Sequence, residues 1–137
     1  MSVSVAPKPK LLVVDDEPDM LDFVERVMRR RYDVTRGASA DEAMAALDAG
    51  DFEVLITDQK MPRMSGLEML DRIADQHPRL VRILLSGFTD MPDIQRAVER
   101  ATVHAYVLKP VDSQKLLAAV EHAHRVRDGA PFVPPVD

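Results

Sequence analysis

The sequence predicts an α/β fold, a doubly wound parallel sheet of five strands with five helices. Two observations carry that reading. Five short apolar runs, bounded by turn residues, have the signature of sheet strands, most of them buried on both faces. Between them lie segments whose apolar residues recur at helical spacing, and such alternation implies a parallel sheet with right-handed crossovers. A third observation locates the working edge. The central run, Val54-Leu55-Ile56-Thr57, leads straight into Asp58, and open α/β sheets bind ligands beyond the carboxyl ends of their strands.

Taken in order, residues 1–9 read as a flexible leader, 10–127 as one folded domain and 128–137 as a Pro-rich tail or linker. Residues 11–14 form the first strand, which ends in Asp15-Asp16-Glu17. Pro18 suits the first turn of a helix, because its missing N–H does no harm there. Met20, Leu21, Val24, Val27 and Met28 give that helix its apolar face, and Arg29-Arg30-Arg31 offsets the negative end of its dipole. Residues 32–36 are a more polar strand, expected at a sheet edge. Ser39-Ala40-Asp41-Glu42 reads as a capping box, and its helix stops at Gly50.

After the central strand, Ser65-Gly66-Leu67-Glu68 is a second capping box, opening a helix that ends near Pro78. Residues 81–85 are the fourth strand, apolar apart from Arg82, followed by a turn at Ser86-Gly87-Phe88-Thr89-Asp90. A helix over 91–100 has a thin apolar stripe of Ile94, Ala97, Val98 and Ala101. Residues 103–108 are the fifth strand, running into Lys109-Pro110. Asp112 or Ser113 caps the last helix, which Asp128-Gly129 stops. The natural arrangement is flavodoxin-like, with strand order 2-1-3-4-5. Its switch point falls between strands one and three, beside Asp15, Asp16 and Asp58.

Composition narrows the function. The chain has 137 residues, no cysteine and a net charge of −5. Disulfide and thiol chemistry are excluded, and broad nucleic-acid binding is disfavoured. No apolar run reaches the roughly 18 residues of a membrane span, and the first ten residues lack a secretion signal, so a cytoplasmic protein is expected.

The acids carry the chemistry. Neighbouring strands lie about 4.8 Å apart, so Asp15 and Asp16 face Asp58 across the strand ends. Two ionised carboxylates about 4 Å apart repel by on the order of 4 kcal/mol at an effective dielectric of 20. Such a cluster needs a cation or must hold protons, and an oxygen-only, loosely held rim suits Mg²⁺. If Asp58 accepts a phosphoryl group, Lys109 at the end of strand five could reach its oxygens, and Ser86 at the end of strand four could donate its hydroxyl to the same group. Bonds of the Lys-Pro type are sometimes cis, and a cis bond here would hold Lys109 over the site. His122 and His124 stand two apart on a helix and do not share a face, so no metal site is expected of the histidines.

Four motifs at the ends of four strands complete the pattern. They are Val13-Val14-Asp15-Asp16-Glu17, Thr57-Asp58 with Met61-Pro62-Arg63-Met64-Ser65-Gly66, Leu85-Ser86-Gly87, and Tyr106-Val107-Leu108-Lys109-Pro110. In this order they resemble the receiver domain of a bacterial two-component response regulator. The resemblance implies that Asp58 is the phosphoacceptor. It implies Mg²⁺ held by Asp16, Asp58 and the backbone carbonyl of Lys60, with Asp15 acting through water. It implies phosphoryl binding by Ser86 and Lys109, and a switch in which Tyr106 changes rotamer as Ser86 moves. The donor would be a sensor histidine kinase or a histidine phosphotransfer protein. The output face would be the fourth helix, fifth strand and fifth helix, a surface that also admits a homodimer.

The implied protein is a switch rather than an enzyme, catalysing only its own phosphorylation and slow dephosphorylation. It would contact neither nucleic acid nor membrane directly. Lys60 and Phe88 stand beside the path of attacking water by position. They are expected to lengthen the lifetime of the phosphoryl group, since Lys60 offers only donors and Phe88 cannot orient a water. A phosphatase of the haloacid dehalogenase type would need an acid two residues after its nucleophile, where this chain has Lys60. A Gly-rich nucleotide loop is lacking. A degenerate receiver that only binds a protein partner is the remaining alternative, and the full set of Asp15, Asp16, Asp58, Ser86 and Lys109 argues against it.

Overall fold

The structure, a computed structural model, describes residues 7–135, and of Phe88 the backbone alone. Its elements run β1 (Lys10–Val14), α1 (Pro18–Met28), β2 (Asp33–Gly37), α2 (Ala40–Ala49), β3 (Val54–Asp58), α3 (Gly66–Ile73), β4 (Val81–Ser86), a 3₁₀ turn (Phe88–Asp90), α4 (Met91–Glu99), β5 (Ala105–Leu108) and α5 (Ser113–Arg127). The sheet order is β2-β1-β3-β4-β5 and every pairing is parallel, the predicted flavodoxin-like arrangement. β3 and β4 are buried along their whole length, while the more polar β2 lies at an edge.

Two apolar layers sandwich the sheet. On one face Leu11, Val13, Ile56 and Ile83 pack against Leu21, Val24 and Met28 of α1 and Leu116 and Val120 of α5. On the other, Leu12, Val14, Leu55 and Leu84 pack against Ala43 and Leu47 of α2, Met69 and Leu70 of α3 and Ile94 of α4. Alternate residues of one strand serve opposite layers, as the two-residue period of a strand requires.

The helix caps are local and legible. Ser65 accepts from the Glu68 amide while Glu68 accepts from the Ser65 amide, a complete capping box. Ser39 accepts from the Glu42 amide, but Glu42 reaches back one residue further than predicted, to the Ala38 amide. Asp112, not Ser113, caps α5 by accepting from the Lys115 amide.

The fifth strand begins two residues later than predicted, because Val103 closes α4 through Ala97 O and His104 turns to Arg82. Arg82 is buried. Its guanidinium donates to the backbone carbonyls of Thr102, His77, Leu80 and Ala101. A charge buried this deeply survives because carbonyl dipoles replace its water. Ala101 sits at a left-handed φ of 60°, where its carbonyl is held by Arg82.

Candidate functional site

The carboxyl ends of the strands bring the predicted acids together. Asp15 follows β1 and continues its ladder by donating its amide to Gly37 O. Its side chain is buried and accepts from the Glu17 amide at 2.9 Å. Asp16, the next residue, is exposed. Asp58 ends β3 and is buried. Carboxylate oxygens of Asp15, Asp16 and Asp58 all lie within 4.8 Å of one another, the one such acidic group among the described residues.

Lys109 closes the site from the far side. Its amide donates to Ser86 O, which carries the β4–β5 ladder one step beyond the strands. Its Nζ lies 2.6 Å from Asp58 Oδ1. That buried oxygen has no aligned hydrogen-bond donor, and the ammonium meets it as an ion pair. The Lys109–Pro110 bond is cis.

The charges respond as their surroundings dictate. Burial pushes the Asp15 carboxyl up to about 6, and the nearby Asp58 and Asp16 carboxylates push the same way, against the Glu17 amide and Lys109. Burial works against the charge of Lys109, but the Asp58 contact, with Asp15 and Glu17, outweighs it and holds that ammonium above its ordinary value. A cluster that raises one member's proton affinity and leaves a buried carboxylate oxygen without a donor fits a hard divalent cation. A cation there would satisfy Asp58 Oδ1 and offset the mutual repulsion of the carboxylates.

The other predicted residues fall around this cluster. Ser86 is buried at the end of β4, one step beyond the Asp58–Leu85 register pair. Its hydroxyl donates to Asp90 Oδ2 at 3.1 Å, with Gly87 O at 3.2 Å as the alternative. Tyr106 is buried on β5, paired in register with Leu84. Lys60 is exposed in the β3–α3 loop. The side chain of Phe88 lies outside the described residues.

Three contributors were missed by the sequence reading. Gln59 is buried and joins the end of β3 to α3, its Oε1 accepting from the Leu67 amide and its carbonyl from the Gly66 amide. A polar residue directly after the acid, ahead of a capping box, was the available signal. Asp90 holds the Ser86 hydroxyl, although it read as a turn residue. Phe132, from the Pro-rich end, stacks on Tyr106 with ring centroids 5.7 Å apart; nothing in its local sequence marks that contact.

Comparisons with known proteins bear on the family and the fold. Residues 11–121 match the family model described as the response regulator receiver domain. The hydrogenase transcriptional regulatory protein HoxA of Cupriavidus necator is 38% identical over 82% of this chain and 23% of its own length. The response regulator protein PilR of Pseudomonas aeruginosa is 29% identical over 95% of this chain and 29% of its own. A CheY-like receiver domain protein of Methanospirillum hungatei superposes with a TM-score of 0.79 at 25% identity, covering 88% of this chain and 97% of that one. The chain belongs to the response regulator receiver domain family. It spans about a quarter of the length of the curated relatives it matches. Among the described residues, no helix is long and apolar enough to cross a membrane.

Proposed function

We propose that this domain is a phosphorylation-dependent two-component switch with Asp58 as its phosphoacceptor. The donor is a phosphohistidine on a sensor histidine kinase or histidine phosphotransfer protein. The carrying observation is the buried Asp58 carboxylate, which faces two further acids and Lys109 and keeps one oxygen without an aligned donor.

In the transfer, an Asp58 oxygen bonds to phosphorus as the P–N bond to the donor imidazole breaks, and the electron pair returns to that ring. Lys109 stands where its ammonium can leave Asp58 Oδ1 and take a phosphoryl oxygen, so its charge follows the negative charge as it moves. Asp15, Asp16, Asp58 and the Lys60 carbonyl are the residues that would hold Mg²⁺, which when bound neutralises charge on the phosphoryl oxygens. Ser86 would exchange Asp90 for a phosphoryl oxygen. Tyr106 then turns toward the space that Ser86 leaves, and the α4/β5/α5 face changes. Two discrete hydroxyl partners and two rotamers make the bistable element that a switch requires. The roles of Lys60 and Phe88 in phosphoryl lifetime belong to the same reading.

The test is incubation with acetyl phosphate and Mg²⁺, read by intact mass. The protein gains one phosphoryl group, and Asp58→Asn gains none. Stoichiometric phosphate on the Asn variant would overturn the assignment.

A further inference from the structure

Residues 130–135 fold back on the domain. Gly129, at φ +109°, reverses the chain after α5, and the Ala130 amide then donates to Arg125 O. The segment lies along β5 and α5, beside a cavity of about 630 Å³ lined in part by Tyr106, Leu108, Ala118 and Ala119. Phe132 stacks on Tyr106 at an interplanar angle of 28° and touches the His122 ring at 5.6 Å. The Val133 amide donates to His122 Nε2 at 3.0 Å, so that nitrogen is the acceptor of a neutral imidazole. Val133 itself is 58% exposed, the one large apolar side chain so exposed among the described residues.

We propose that residues 130–135 are a latch on the β5–α5 face, seated through Phe132 on Tyr106 in the unphosphorylated state and released by phosphorylation. The inference rests on the phosphoacceptor reading of Asp58 and on Tyr106 as the residue that turns. The sign follows from the arrangement seen. With Ser86 on Asp90, Tyr106 presents its face to Phe132. A Tyr106 ring that turns inward removes one half of that stack. The segment carries three prolines and an exposed valine, and Phe132 and Val133 are held by a ring stack, a ring edge, one amide and the packing of Phe132 on the edge of the apolar layer. It is therefore held weakly enough to be displaced, and strongly enough to bias the switch. Coupling is reciprocal: if phosphorylation expels the segment, the seated segment must oppose phosphorylation. Its release uncovers the β5–α5 surface beneath it and frees the residues that follow α5.

The experiment titrates beryllofluoride with Mg²⁺, as the phosphoryl mimic, into the full chain, into Phe132→Ala and into Val133→Pro. Val133→Pro keeps the aromatic ring but removes the amide given to His122. Both variants are expected to bind the mimic roughly threefold to tenfold more tightly, the range set by the loss of one aromatic pair in Phe132→Ala and of one hydrogen bond in Val133→Pro. In the wild-type protein, the nuclear Overhauser contact between the Phe132 and Tyr106 rings should vanish at saturation. Equal affinity in all three proteins, or a ring contact that persists at saturation, would overturn the latch while leaving Asp58 as acceptor. Failure of the wild-type protein to bind beryllofluoride at all would remove the phosphoacceptor reading, and the latch with it.

Discussion

Replacing Gly66 by alanine should damage both the fold and the site. An ideal Cβ on Gly66 would lie 2.3 Å from the Asp58 carbonyl oxygen and 3.1 Å from Leu84 Cδ1. The carbonyl or the helix must therefore retreat by roughly 0.7 Å before the contact becomes tolerable. Neither is free to do so cheaply. The Gly66 amide donates to Gln59 O, the Gln59 amide to Leu85 O, and the Leu67 amide to Gln59 Oε1. Overpacking of this kind costs about 1–3 kcal/mol, and the better helix propensity of alanine recovers at most about 1 kcal/mol. A net loss of about 1–2 kcal/mol lowers the midpoint of thermal unfolding by roughly 3–10 °C for a chain of this size. The assay is thermal unfolding followed by circular dichroism, together with the rate of phosphorylation by acetyl phosphate, which should fall because Asp58 shares the displaced peptide. Gly87→Ala is the control, since a Cβ there meets nothing within 4 Å, and its stability should match the wild type within about 0.5 kcal/mol. A Gly66→Ala protein as stable and as readily phosphorylated as the wild type would refute the packing argument.

Three further outcomes are expected. His104 is held down to about 4, by burial first and then by the Arg82, Arg127 and His124 charges. The unfolded chain therefore binds the extra proton below about pH 6.5. Stability should be full above that pH and fall by up to about 3 kcal/mol as pH drops through 4; urea unfolding across this window should be flatter for His104→Gln. Asp16 is exposed and its carboxylate belongs to the acid cluster, so Asp16→Ala should keep the fold yet lose nearly all Mg²⁺ binding by calorimetric titration. A variant carrying Lys60→Asn and Phe88→Ala should release phosphate about tenfold faster at fixed Mg²⁺, equivalent to about 1.4 kcal/mol of barrier; an unchanged rate would exclude both side chains as guards.

The sequence by itself determined the alternation of strands and helices, the edge position of β2, most of the caps and the rim on which the acids stand. Those features rest on signals spread over a few adjacent residues: the two-residue strand period, the helical period, and a serine three residues before a glutamate. The pairing of Asp15 and Asp16 with Asp58 followed from strand order, which the βα alternation constrains strongly. Only the tertiary structure decided that Asp15 is buried and Asp16 exposed, because two neighbours on one strand end face different surroundings. It decided the fate of Arg82, which broke an apolar strand in the sequence and proves to be solvated by carbonyls from loops up to twenty residues away. It decided the late start of β5, where closing α4 and binding Arg82 use the residues that periodicity assigned to the strand. The seating of Phe132 on Tyr106 belongs to the same class. Its partners lie on β5 and α5, and a contact between distant segments leaves no period in either of them.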